Sequence, residues 1–98
     1  MVINKQLDGT ELTINLVGRL DTITSPELEA ELRSSLTDVT KLHFDLGELD
    51  YISSAGLRVI LAAQKQMNKQ GTMTLGNVGS VIMEVFDMTG FSDILTIV

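Results

Sequence analysis

What most constrains this chain is a hydrophobic period that switches repeatedly between that of a strand and that of a helix. Leu12, Ile14 and Leu16 alternate with Thr13, Asn15 and Val17, the period of two expected of a strand. Leu28, Leu32 and Leu36 then recur every four residues and draw one apolar stripe along a helix. Lys41 to Leu46 returns to alternation, with Leu42, Phe44 and Leu46 on one face. Leu57, Ile60, Leu61, Gln64 and Met67 fall at helical spacing, Thr72 to Leu75 reads as a short strand, and Val81, Ile82, Val85 and Phe86 form a third helical set. Ile94 to Val98 reads as a last strand of β-branched and Leu residues.

The punctuation agrees with this order. Met1 to Leu7 alternates weakly and runs into Asp8-Gly9, a preferred pair for a tight hairpin turn, and Gly18 is expected to close the second strand. Thr24 and Glu27 have capping-box spacing, with Ser25 as cap and Pro26 at the first helical position as the competing register. Glu27, Glu29 and Glu31 load the start of that helix with the charge its dipole favours. Gly71 and Gly90 are natural helix stops, and Ser80 is a candidate cap for the third helix. Strands separated by helices imply right-handed crossovers and a mostly parallel sheet. The expectation is one α/β domain over residues 1–98, with about five strands, an antiparallel N-terminal hairpin and about three helices.

Composition narrows the functions open to it. The chain is 44% hydrophobic but only 4% aromatic and has no Trp, so its core is built from Leu, Ile, Val and Met; Met67, Met73, Met83 and Met88 are expected there. A net charge of -6 repels phosphate backbones and anionic bilayers, which argues against nucleic-acid and membrane partners. The absence of Cys removes a disulfide framework, a thiolate metal site and a thiol nucleophile. No apolar run is long enough to span a bilayer, and Met1 to Lys5 lacks the pattern of a secretory signal, so the expected location is the cytoplasm.

The stretch that stands apart is Tyr51-Ile52-Ser53-Ser54-Ala55-Gly56-Leu57, between a strand and the longest helical pattern. Small polar residues at a helix mouth leave backbone N–H groups open, and together with the dipole these favour negative charge. A phosphate on Ser54 would meet that environment, while Ala55 and Gly56 keep bulk away and let a partner approach. Gly56 costs about 1 kcal/mol in a helix relative to Ala, so something besides propensity holds it there. The bland alternative is that Ser53 simply caps the helix. Other constellations fail. A hydrolase elbow needs Gly two residues before the Ser, where Ile52 stands, and the single His43 lies mid-strand, on the face opposite Phe44. There is no dinucleotide fingerprint or P-loop, Gly76-Asn77-Val78-Gly79 reads as an ordinary turn, and the carboxylates show no metal-ligand spacing.

Four segments in order resemble one family. Gly18-Arg19-Leu20-Asp21, Leu42-His43-Phe44-Asp45-Leu46, the run Tyr51 to Leu61, and Val85-Phe86-Asp87-Met88-Thr89-Gly90-Phe91 are similar to the STAS domain of bacterial anti-sigma-factor antagonists. The resemblance implies a small α/β fold with helices mainly on one face, no catalytic activity and no cofactor. It implies an unphosphorylated form that binds an anti-sigma factor, itself often a serine kinase, and so frees a sigma factor. Phosphorylation would end that binding and a serine phosphatase would restore it. Aligning the signature puts the phosphoacceptor on Ser54 and the partner-binding residues on Asp21, Thr22, Ser53, Ser54, Ala55, Gly56, Leu57 and Arg58, in a monomer or weak dimer. Two departures matter. Many members have Asp before the acceptor and a hydroxyl residue after it, where this chain has Ser53 and Ala55, so Ser53 competes as the modified residue. Several members also continue into another helix where this sequence stops at Val98, so some partner surface or sheet cover would be missing. The alternative role is a non-switching STAS subunit of a transporter-associated or other assembly.

Overall fold

Alternation and helical spacing become, in the computed structural model of residues 1–98, β1 (Val2–Asp8), β2 (Glu11–Leu20), α1 (Ser25–Ser35), β3 (Lys41–Ile52), α2 (Ser54–Gln70), β4 (Thr72–Gly76), α3 (Ser80–Thr89) and a 3-10 turn at Phe91–Asp93. The sheet has four strands in the order β1-β2-β3-β4. The β1–β2 pair is antiparallel, and β2–β3 and β3–β4 are parallel, with α1 and α2 as the two crossovers. Gly9 takes the first position of the hairpin turn with φ +63°, where an L side chain would be strained.

One face of the sheet is apolar and covered; the other is polar and open. Leu12, Ile14 and Leu16 of β2, Leu42, Phe44 and Leu46 of β3, and Met73 and Leu75 of β4 are buried in one cluster with Leu28 and Leu32 of α1, Ile60 and Met67 of α2, and Ile82 and Phe86 of α3. On the opposite face Asn4 donates to Asn15 at 3.1 Å, and His43 Nδ1 lies 2.7 Å from Thr74 Oγ1. The helices therefore sit on one face, and His43 is the half-buried strand residue its register requires.

Several expectations need correction. The sheet has four strands, not five: Ile97 makes only an isolated parallel bridge to Leu75. The left-handed turn at Gly90 (φ 78°) and the 3-10 turn use up the approach, so Leu95 enters the core while Ile94 and Val98 stay exposed. Gly18 does not close β2 but sits inside it at φ +104°. β3 does not end at Leu46 but runs to Ile52, because two irregularities absorb its extra residues against β2: Asn15 pairs Asp45 while Val17 pairs Glu48, and Gly18 pairs Leu49 while Arg19 pairs Tyr51. The Asp45 carboxylate steadies the first of these, accepting from Gly47 N–H at 3.0 Å and from Asn77 Nδ2 at 3.1 Å. Met88 is not a core residue; it is 86% exposed on the outer side of α3.

Candidate functional site

Because β2 and β3 are parallel neighbours, their C-terminal ends arrive side by side and both following helices start from one edge of the sheet. Ser53 N–H donates to the Leu20 carbonyl at 2.9 Å and ties the two ends together. This is the consequence of the long β3: had it stopped at Leu46, the signature stretch would not be paired to the end of β2.

At the start of α2, Ser53 is extended (φ -96°, ψ 175°) and acts as the cap, its Oγ accepting from Gly56 N–H at 3.3 Å. Ser54 is the first helical residue, exposed, and its hydroxyl makes no hydrogen bond to the protein. Gly56 is buried, and a Cβ there would come within 2.7 Å of Leu20 Cγ and 3.0 Å of Ile52 Cγ1. Close approach of the helix to the strand ends thus explains a glycine that propensity disfavours. Leu57 is buried beside it, so Gly56 and Leu57 hold the mouth of α2 in place, while Ser54 and Arg58 present themselves outward.

The start of α1 is built differently, and the anticipated capping box does not form. Thr24 is the cap position but its side chain makes no cap bond; Thr24 Oγ1 accepts from Asp21 N–H at 2.9 Å, and its one proton is shared between the Arg19 carbonyl at 2.7 Å and Asp21 Oδ1 at 3.1 Å. Asp21 closes the turn, its Oδ1 accepting from the N–H groups of Ile23 and Thr24, both at 3.0 Å. The Thr24 N–H above all holds the Asp21 carboxyl below its ordinary range; desolvation, next in size, opposes it, and the Thr24 hydroxyl, the Ile23 N–H and the nearby Arg19 each add less to the lowering. Arg19 Nε lies 3.6 Å from Asp21 Oδ2, and its guanidinium stacks on the Tyr51 ring at 4.2 Å. The residues anticipated as partner-binding, Asp21, Thr22 and Ser53 to Arg58, therefore share one edge, with a cleft lined by Thr22, Ser25, Pro26 and Glu29 on one side and Ala55, Arg58 and Val59 on the other.

Sequence reasoning missed two residues of this edge. Ile23 is 85% exposed in the β2–α1 turn, an apolar side chain standing in solvent one residue on from Thr22, which lines the cleft. Its signal was that it belongs to neither hydrophobic period. Ser25 is 3% exposed with an Oγ that has no hydrogen-bond partner, and nothing in the sequence distinguishes it from a solvated helix start.

Fold and edge together define a one-sided α/β domain with an exposed hydroxyl at the mouth of a crossover helix. The family model of the STAS domain matches residues 2–98, and the chain belongs to that family. Among curated relatives, BtrV of Bordetella bronchiseptica, provisionally named an anti-sigma factor antagonist, is 38% identical over 94% of this chain and 80% of its own. The anti-sigma-B factor antagonist of Bacillus subtilis is 30% identical over 97% of this chain and 88% of its own. The anti-sigma factor antagonist SpoIIAA has the same fold, with a TM-score of 0.78 both in its unphosphorylated form (17% identity, 99% of this chain and 87% of that one) and in its phosphorylated form (18%, 99% and 91%). A sulfate transporter family protein from Wolinella succinogenes shares it too, with a TM-score of 0.75 at 18% identity over 89% of this chain and 71% of that one. No helix is long and apolar enough to cross a membrane.

Proposed function

We propose that this protein is an anti-sigma factor antagonist whose binding is switched off by phosphorylation of Ser54. The observation that carries the reading is the division of labour between adjacent serines: Ser53 is engaged as the helix cap, and Ser54 is exposed with an unengaged hydroxyl. This favours Ser54 over Ser53 as the acceptor. The edge built from Asp21, Thr22, Ser54, Ala55 and Arg58, with Ile23 beside it, is the surface an anti-sigma factor docks on; Ser53, Gly56 and Leu57 shape it from beneath.

The physics of the switch is local. A phosphate adds about -1.5 to -2 charge. At a helix N-terminus the dipole tolerates it, by about 0.3–1 kcal/mol, so the fold has no reason to change. A partner surface fitted to a small neutral serine instead meets a bulky dianion, and an unpaired desolvated charge costs several kcal/mol where about 1.4 kcal/mol is already tenfold in affinity. On this reading the protein is a substrate and not a catalyst. It works in the cytoplasm as a monomer or weak dimer, needs no cofactor, and cycles between an anti-sigma factor of the serine-kinase type and a serine phosphatase, with no nucleic-acid or membrane partner.

The second reading, a constitutive subunit of a transporter-associated assembly, draws on the fold shared with the sulfate transporter protein, which is a likeness of architecture alone. Its discriminating property is indifference to phosphate at Ser54. The test is to measure melting temperature and anti-sigma affinity for wild type, Ser54→Asp and a phosphorylated copy. The expected result is a nearly unchanged melting temperature with an affinity loss of tenfold or more, about 1.4 kcal/mol. Equal affinity of the phosphorylated and bare copies, or a collapse of stability with no selective loss of binding, would overturn the switch.

A further inference from the structure

The cations of this chain are not distributed evenly. Of its 7 Lys and Arg residues, four are in ion pairs: Lys5 with Glu31, Arg19 with Asp21, Arg33 with Glu29, and Lys41 with Glu11. The remaining Arg58, Lys65 and Lys69 all lie on α2, all are exposed, and α2 has no acidic residue of its own. In a protein of net charge -6, an Arg without a carboxylate partner one turn from the signature serine is a charge left open.

Ser54 and Arg58 are separated by four residues on one helix, both on its exposed side. Side chains at that spacing have Cβ atoms about 5–6 Å apart, and an anion placed N-terminal to a cation is the favoured order. Arg58 also borders the cleft between the two helix starts, across from Thr22, Pro26 and Glu29. Two carboxylates flank this edge, and each has a cation of its own nearby: Glu29 of α1 lies 2.9 Å from Arg33, and Asp21, closed into its own turn, lies 3.6 Å from Arg19.

Resting on the reading of Ser54 as the switch serine, we propose that Arg58 is the residue that answers the phosphate. A phosphate on Ser54 captures the Arg58 guanidinium within α2, so modification acts twice on the docking edge: it adds an anion and it withdraws the one unpaired cation beside it. A partner carboxylate that uses Arg58 in the bare protein loses its contact at the same moment. Guanidinium and phosphate are suited to this exchange because the planar fork can pair two oxygens.

The test needs no partner protein, so its failure is separable from failure of the antagonist reading. Phosphoserine is installed at position 54 by codon reassignment, and the phosphate is titrated by 31P NMR in wild type, Arg58→Gln and Lys65→Gln, with the unmodified proteins compared by thermal unfolding. Arg58 favours the dianion over the monoanion, so the wild-type midpoint lies below that of Arg58→Gln by about 0.15–0.4 unit, the added i,i+4 attraction of one further negative charge. Lys65→Gln, two further turns along, leaves the midpoint where wild type has it, and the unmodified variants melt together. Equal midpoints for wild type and Arg58→Gln overturn the proposal, and so does an equal displacement in Lys65→Gln, which would mean a diffuse effect of net charge instead of a pair.

Discussion

Two helices of this domain, α1 and α2, open with a serine at their first helical position on the same edge of the sheet, and the two serines end in opposite environments. Ser25 of α1 is 3% exposed with no partner for its hydroxyl, whereas Ser54 of α2 is exposed. The difference lies in how the chain enters each helix. β3 feeds α2 directly through an extended Ser53, whose side chain turns inward to cap and leaves the next residue pointing out. β2 feeds α1 through a turn folded back on itself, closed by Asp21 and by Thr24 reaching to Arg19, and this rolls Ser25 under the chain. A serine at a helix mouth is therefore not a modification site by virtue of the helix. The residue before it, and where that residue spends its side chain, decides whether an enzyme can reach it.

The largest effect expected from this contrast is all-or-none. Incubated with ATP and its cognate anti-sigma kinase, the wild-type protein takes up phosphate on Ser54; Ser54→Ala abolishes the uptake, while Ser25→Ala leaves it intact. Peptide mapping by mass spectrometry reads this directly, and phosphate on Ser25 would break the comparison. Next in size is the packing that fixes the exposed serine. Valine at Gly56 would push branched carbons into Leu20 and Ile52, where even a Cβ lies 2.7 Å from Leu20 Cγ. Overpacking of this kind costs about 1–3 kcal/mol. Gly56→Val should lose that much in urea unfolding; an unchanged midpoint would mean that the mouth of α2 is not held by close approach to β2.

How much of this contrast was legible in the sequence follows from the kind of force behind each part. Elements whose identity depends on hydrophobic period were legible: the Leu28, Leu32, Leu36 stripe and the alternation of Leu42, Phe44 and Leu46 are buried as their spacing requires. Elements whose identity depends on pairing were not. The extension of β3 to Ile52 is set by register with β2 and by the Asp45 contacts to Gly47 and Asn77, residues 32 apart in the last case. Ile94 to Val98 has strand composition, but a strand also needs a free edge along its whole length, and the chain reaches β4 only at Ile97. At the site, the helix mouth at Ser53-Ser54 could be read from residue types and Ser54 singled out only through family resemblance, while Ser25 and Ile23 could not be sorted, because the Asp21 turn is local but which of its neighbours it buries depends on how it sits against the rest of the fold.

Smaller and of opposite sign are the effects of trimming the two inward-facing hydroxyls. Ser53→Ala removes a cap and should cost about 0.5–1 kcal/mol, the lower part of the usual range because the bond to Gly56 N–H is long at 3.3 Å. Ser25→Ala removes a buried group that has no partner, and Ala is the better helix former, so stability should stay level or rise by about 0.5–1 kcal/mol. The two variants compared in one urea series sharpen the contrast. Both moving downward would show that Ser25 has a partner after all and that the two helix starts are alike.

The smallest effect is confined to acid and separates the two helix starts by charge. The α1 side is closed by a carboxylate and the α2 side by a neutral hydroxyl. The Asp21 carboxyl, held low chiefly by the Thr24 N–H, binds its proton less readily in the folded than in the unfolded protein. The stability it contributes is complete above the ordinary value of 3.8, declines as pH falls through that value, and is gone once pH is below the lowered one. Asp21→Asn should match wild type in shape above that range yet lack its additional loss of stability below it. Amide shifts give the finer reading: the Ile23 and Thr24 N–H signals should move with a midpoint below 3.8, while the Gly56 N–H, bound to Ser53, should not follow that titration. A midpoint at or above the ordinary value, or a Gly56 signal that moves with the other two, would mean that the two helix mouths open as one unit, and that Asp21 does not set the α1 side apart.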